Sequence, residues 1–267
     1  MLKFIKIFKK KSIVPVVRLD GVIGSSGLFG SNGIDDAGMK QILEKAFNVT
    51  KASSIALVIN SPGGSPTQSS LIATRIKNLS REKKIPVIAF CEDVAASGGY
   101  WLACSADEIF ADENSIIGSI GVISAGFGFN EFISRQGIER RVFTSGESKS
   151  ILDPFLPSKK EDIVKLKNIQ EAIHQNFKEH VKSARGNKIK NLSIFNGEFW
   201  NASKALELGL IDAVGHLEPI LKEKFGDDVK IKYFTKKKSF FSRFTKSALD
   251  HVYHKVVNKI LLSHHGL

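Results

Sequence analysis

Residues 54–64 read Ser-Ile-Ala-Leu-Val-Ile-Asn-Ser-Pro-Gly-Gly. A short, nearly continuous apolar run of this kind marks a strand buried on both faces. The run covers 54–60; Ser61-Pro62-Gly63-Gly64 ends it, and Ser65 is the N-cap of a helix with Leu71, Ile72, Ile76 and Leu79 as its apolar stripe. The same unit returns at 86–100. Residues 86–91 form a second buried strand, which runs through Glu92-Asp93-Val94-Ala95-Ala96 into Ser97-Gly98-Gly99-Tyr100, where a helix of small residues begins.

Working outward, 13–23 reads as a strand ending among Gly24, Gly27 and Gly30, and 34–47 as a helix. Beyond the second unit, 108–111 and 116–124 read as strands, 129–136 as a short helix, and 140–144 as a strand leading to Ser145-Gly146-Glu147-Ser148-Lys149. Strands alternating with helices predict an α/β fold with a mainly parallel sheet covered on both faces. After Pro157 the texture changes. Ser158 is the expected N-cap of a long amphipathic helix with Ile163, Leu166, Ile169, Ile173, Phe177 and Val181 on one stripe, ending near Gly186. A further helix, 202–208, closes at Gly209. The expected organisation is a basic N-terminal segment (1–12), one catalytic domain (13–225) with a C-terminal helical arm (about 158–225), and a basic C-terminal tail (226–267).

The 267 residues carry a net charge of +12. The charge is concentrated in the two termini rather than in a groove across the fold, which argues against specific nucleic-acid binding. No run reaches the roughly 18–20 apolar residues that span a bilayer, and the N-terminus lacks the h-region of a secretory signal. The termini read equally as faces lying on an anionic membrane and as solvated basic tails. Two cysteines, Cys91 and Cys104, make neither a disulfide framework nor a zinc set. They fit small buried hydrophobes in a reducing, cytoplasmic setting, with contact at the inner membrane face if the termini bind lipid.

In open α/β sheets, ligands bind beyond the carboxyl ends of the strands. Two glycine turns stand there, 61–64 and 97–99. A serine at a sharp strand-to-helix turn exposes its hydroxyl, and the next N–H is free. Ser97 is therefore a candidate nucleophile. Gly98 offers one oxyanion donor, and Gly63 or Gly64 the second. Such a serine needs a base. All seven histidines lie at 174 or later, away from this region, and read as surface residues. Lysine can replace histidine as base provided it is desolvated into its neutral form. Lys149, set after a predicted strand, is the best candidate on context. No Walker loop, dinucleotide fingerprint or metal set is present, so no cofactor and no metal are expected.

These segments together resemble the signal peptide peptidase A (SppA) family, serine peptidases with a ClpP/crotonase-like fold. The resemblance rests on Ile59-Asn60-Ser61-Pro62-Gly63-Gly64, Ala95-Ala96-Ser97-Gly98-Gly99-Tyr100, Gly118-Ser119-Ile120-Gly121-Val122, the 145–155 stretch with Ser148-Lys149-Ser150 and Asp153-Pro154-Phe155, and Ala205-Leu206-Glu207-Leu208-Gly209-Leu210-Ile211-Asp212. It covers roughly 13–220, without the transmembrane anchor that many members carry. It implies Ser97 as nucleophile, Lys149 as general base, Ser119 as the hydroxyl holding the lysine amine, and Gly64 with Gly98 as the oxyanion hole. It also implies peptide substrates, such as signal-peptide remnants or membrane-derived fragments, and a homo-oligomeric ring whose active sites are shared between adjacent subunits. Two other readings differ in class. A crotonase-type acyl-CoA hydratase or isomerase would need a carboxylate base where this chain has Ser97. A non-enzymatic membrane-associated scaffold would have no use for a Ser–Lys–glycine set.

Overall fold

The structure, a computed structural model, describes residues 12–24, 33–146 and 148–235. The basic N-terminal segment, Gly27, Gly30, Glu147 and the last part of the tail, with His251, His254, His264 and His265, lie outside the described residues.

Three parallel strands form the centre: β1 (Ile13–Asp20), β2 (Ile55–Ser61) and β3 (Val87–Ala96). Their side chains alternate between two cores, as the period of two in a strand requires. Val17, Leu19, Ile55, Leu57, Ile59, Val87, Ala89 and Cys91 face one cluster, and Val14, Val16, Ala56, Val58, Ile88 and Phe90 face the other. Both faces are therefore dry, which is why these strands read as continuous apolar runs. The first cluster is closed by α1 (Asp36–Phe47), α2 (Pro66–Lys83) and α3 (Gly98–Ala103). Asp35 caps α1 by accepting from the Gly38 N–H, and Ser65 caps α2 as expected, accepting from the Gln68 N–H with Pro66 in the first turn.

β3 forks the sheet. Its first half pairs with β4 (Glu108–Ala111) and its second half with β5 (Ile116–Gly118), both parallel. The fork follows a register shift against β2: Ile59 opposes Cys91, yet Ser61 opposes Ala95. The extra residues on β3 make a bulge, and bulges bend the strand that carries them. Glu92 and Asp93 lie in it, tied down by Arg18 and Asn60 respectively. The bend carries the end of β3, and with it Ser97, away from the β4 edge.

After β5 the chain runs through a largely exposed segment with one short helix, α4 (Asn130–Arg135), into the long α5 (Lys160–Arg185). It then returns to the sheet. β6 (Phe199–Asn201) pairs antiparallel with β5, and α6 (Ala202–Leu208) ends at Gly209 in the left-handed conformation. β7 (Ala213–Val214) pairs with β4. α7 (Leu217–Phe225) closes the second cluster through Leu221, and β8 (Lys230–Phe234) pairs parallel with β1. The main path of the sheet is β6-β5-β3-β2-β1-β8. The α/β architecture with a mainly parallel sheet is thus the one expected.

Several expectations are corrected. The strand expected at 140–144 is irregular and exposed; without a described neighbour to pair with, an isolated extended segment gains nothing from being a strand. The strand expected at 116–124 stops at Gly118, because Gly118 and Ser119 both turn to positive φ, 110° and 52°. α5 begins one residue later than a Ser158 cap requires, with Lys159 in the cap position and no side-chain cap bond. The 158–225 arm is not purely helical, since it supplies β6 and β7. The tail expected from 226 begins only after β8, and the compact unit extends to Phe234.

Candidate active site

Ser97 stands where β3 turns into α3. Its φ of 52° and ψ of −121° are unusual for a non-glycine residue, a cost on the order of 1–3 kcal/mol that persists only where the surroundings over-determine it. Here they do. The Ser97 N–H donates to Gly118 O at 2.8 Å, and its carbonyl accepts from the Trp101 N–H at 3.0 Å. The residue is half-buried, and its hydroxyl has no hydrogen-bond partner among the described residues.

The three glycines separate by role. Gly98 opens α3, so its N–H has no partner inside the helix. The Gly64 N–H likewise donates to no described residue. The Gly63 N–H is already used, donating to Ser61 Oγ at 3.2 Å. Gly63 serves the site by its lack of a side chain: a Cβ there would lie 2.7 Å from the Gly98 nitrogen and 2.8 Å from Ser97 Cβ. Gly64 is held at a φ of 145°, with Ile23 so close that a Cβ would collide with its carbonyl. Ile23 donates to Gly63 O and accepts from the Ser65 N–H, each at 2.8 Å, and so straps the turn from the segment that follows β1. Two free N–H groups, Gly64 and Gly98, therefore remain beside Ser97.

Ser119 is half-buried on the turn after β5, joined to the nucleophile segment through the Ser97–Gly118 bond. Its own N–H donates to Glu198 O at 2.7 Å. The structure thus brings Ser97, Ser119 and the three glycines together. Lys149 stands apart from them. It lies exposed in a turn, its N–H bonded to Gly146 O at 3.2 Å, and its amine makes no bond to Ser97 or Ser119. The desolvation a lysine base requires is not supplied around it by the described part of one chain. The carboxylates near the turn are committed elsewhere. Glu92 takes a two-pronged contact from Arg18, at 3.0 Å on one prong, and Asp93 accepts from Asn60 at 2.7 Å. Both precede the turn and are engaged by side chains of neighbouring strands.

Two histidines were misread as surface residues. His174 and His180, both on α5, are half-buried, and their Nε2 atoms lie 3.1 Å from Ile120 O and 2.9 Å from Trp101 O. Their spacing carried a signal, since each lies three residues from Phe177 on the apolar stripe. Burial, with Lys77 nearby, lowers the His180 pKa to about 4 despite its bond to Trp101 O, so at neutral pH it is an uncharged donor. Both cysteines are buried. Desolvation raises the Cys104 thiol to about 12 and Cys91 further still, in keeping with their reading as inert hydrophobes. Among the described residues no cluster of His, Cys, Asp or Glu could hold a metal ion, and no helix is long and apolar enough to cross a membrane. A cleft of about 630 Å³ lies elsewhere, floored by Val58 and Phe90 of the second core and rimmed by Asp93, Asp112 and His216. It does not include Ser97 or its turn.

A protein of Brucella abortus named Na(+)/H(+) antiporter NhaA is 47% identical over 231 residues, covering 86% of this chain but 31% of its own length. Protease 4 of Haemophilus influenzae is 32% identical over 208 residues, covering 76% of this chain and 32% of its own. The chain therefore spans about a third of the length of each, and the antiporter name belongs to a much longer protein. Among solved structures, a variant of the 1510-N membrane-bound stomatin-specific protease in complex with a substrate peptide superposes with a TM-score of 0.52, covering 90% of this chain and 99% of that one. At 19% identity this likeness speaks for the fold alone. The sequence pattern of peptidase family S49 matches residues 80–230, more than half of the chain, from the last turn of α2 through the first residue of β8. On that match, the chain belongs to peptidase family S49.

Proposed function

We propose that the chain is a serine peptidase that cleaves peptides through an acyl-enzyme, with Ser97 as nucleophile and Lys149 as general base. The observation that carries the reading is the turn itself: a serine at positive φ with an unpartnered hydroxyl, flanked by two unused backbone N–H groups. In this mechanism Ser97 Oγ attacks the scissile carbonyl and gives its proton to the lysine amine. The oxyanion receives hydrogen bonds from the Gly98 and Gly64 N–H groups, each worth about 3 kcal/mol in the transition state. The lysine then protonates the leaving amine, the acyl-enzyme remains, and water attacks it by the reverse sequence. Ser119 holds the lysine amine in line. Peptides of signal-sequence or membrane-protein origin are the proposed substrates.

Lys149 is exposed, and on the same segment Phe127, Ile138 and Phe143 are exposed as well. Apolar side chains beside a candidate base favour an assembled ring in which Lys149 enters the site of the adjacent subunit. Two inactive variants, Ser97→Ala and Lys149→Ala, test this when dissociated, mixed and reassembled. With a head-to-tail interface, about one quarter of the interfaces in a random ring regain an intact Ser–Lys pair, so hydrolysis should return to about that fraction. Rings shown to be mixed but still inactive would overturn the shared site. Lys149→Arg should be as inactive as Lys149→Ala, because a guanidinium cannot give up its proton to become a base. An active arginine variant would put the base elsewhere.

A further inference from the structure

The serine-bearing turns are not held by the sheet alone. α5 crosses both of them. Phe177 stacks on Trp101 with centroids 4.7 Å apart, and His180 stacks on the same indole at 5.2 Å while meeting Trp101 O. Trp101 in turn donates its N–H to Ser97 O. One helical turn before Phe177, His174 reaches the other side of the site, where its Nε2 lies 3.1 Å from Ile120 O. A carbonyl can only accept, so this nitrogen carries the proton.

The turn at 118–121 is secured on successive backbone groups. Gly118 O accepts from the Ser97 N–H, the Ser119 N–H donates to Glu198 O, and Ser119 O accepts from the Gly121 N–H at 3.0 Å. These three bonds belong to the sheet end and the turn itself. The bond to Ile120 O is the one that reaches across to α5, and it acts on the residue next to Ser119. Ile120 is fully buried, so its carbonyl cannot simply turn to water. Ser119 sits at a φ of 52°, a conformation that relaxes when its restraints are loosened.

We propose that His174 is a positioning residue for the reaction, fixing the Ser119 turn from α5 so that the Ser119 hydroxyl stays in register with Ser97. The inference rests on the roles given above to Ser97 and Ser119. His174 touches no reacting atom. Its effect is on the direction of the Ser119 hydroxyl, and an error of about 1 Å in such a group costs on the order of a hundredfold in rate.

The test uses the full chain, a fluorogenic peptide library as substrate, and a fluorophosphonate probe to count reactive Ser97. His174→Leu keeps the bulk and removes the donor. It should lower kcat by about ten- to a hundredfold with KM and Tm near the wild-type values. His174→Gln, whose amide N–H reaches as far as Nε2, should restore most of the rate, whereas His174→Asn is too short and should stay slow. A leucine variant with full kcat, a defect confined to KM, or a glutamine variant as slow as leucine would each overturn the proposal. If the leucine variant does not fold, the comparison of glutamine with asparagine decides in the same way. A wild-type chain that neither cleaves peptides nor takes the probe at Ser97 would overturn the peptidase reading. A wild-type chain that does both, with His174→Leu undisturbed, would overturn the role of His174 alone.

Discussion

Ser97→Ala is expected to lower peptide hydrolysis by about three orders of magnitude or more while leaving the protein folded. Both halves of that expectation follow from the turn. The hydroxyl makes no hydrogen bond to any described residue, so its removal strands no partner. Alanine keeps the same Cβ, and so meets the same backbone demand at a φ of 52°. The bonds that hold the turn, from the Ser97 N–H to Gly118 O and from the Trp101 N–H to Ser97 O, are main-chain bonds that alanine retains. What disappears is the hydroxyl proposed to form the acyl-enzyme. The oxyanion donors remain, so the residue of activity is what positioning and the N–H groups supply without a nucleophile. Hydrolysis rates and fluorophosphonate labelling should fall together, with an unchanged circular dichroism spectrum and Tm. Retention of more than a few per cent of activity in a folded variant would remove Ser97 from its role.

Asp212→Ala should have the largest effect on stability, about 3–5 kcal/mol. Asp212 is the half-buried hub of a polar cluster whose inner member is the buried Arg185. It receives two bonds from Arg185, at 2.8 and 3.1 Å, one from Lys188 at 2.6 Å, and one from the Ile109 N–H at 2.8 Å. The Arg185 side chain is only 1% exposed, and its Nε donates to Gly209 O. Removing the carboxylate leaves a guanidinium charge inside the protein without its counter-ion, and that, more than the lost attraction, is the cost. Burial by itself would raise the Asp212 pKa. The bonds from Arg185, Lys188 and Ile109 outweigh it and bring the value down to about 2. A carboxyl with a folded pKa below its unfolded one stabilises the fold above the unfolded value, near 3.9, and loses that contribution as pH falls toward 2. Denaturant titrations of wild type should therefore lose stability between about pH 4 and pH 2, and those of Asp212→Ala should lose less over the same range. A change under about 1 kcal/mol at neutral pH would show that Arg185 is satisfied without its partner.

Much of the fold was legible because its central strands are buried on both faces. Residues 54–60 and 86–91 read as strands from local composition alone. Ser65 and Gly209 marked a helix start and a helix end by side-chain chemistry that acts within a few residues. Ser97 and its glycines were legible for the same reason, since a sharp turn at a strand end needs small residues in consecutive positions. The misreadings fall where a local pattern had two outcomes. Residues 140–144 have strand-forming composition but find no partner strand among the described residues. His174 and His180 sit beside the apolar stripe of α5, where a side chain can face either water or the core, and only the backbone it meets decides.

By itself, then, the sequence determined the alternation of strand and helix, the dry faces of the central sheet, and the serine and glycines at the strand ends. Each of these depends on periodicity or on turn chemistry within a few residues. The tertiary structure alone decided the fork in β3, the joining of β6 and β8 to the sheet from distant parts of the chain, and the Arg185–Asp212 cluster. It also set Gly64 and Gly98, rather than Gly63, as the unused donors, and it brought α5 across both serine-bearing turns. These depend on which groups meet after long loops close. A hydrogen bond between residues 54 positions apart, such as that of His174 to Ile120 O, leaves no trace in the local pattern of either partner.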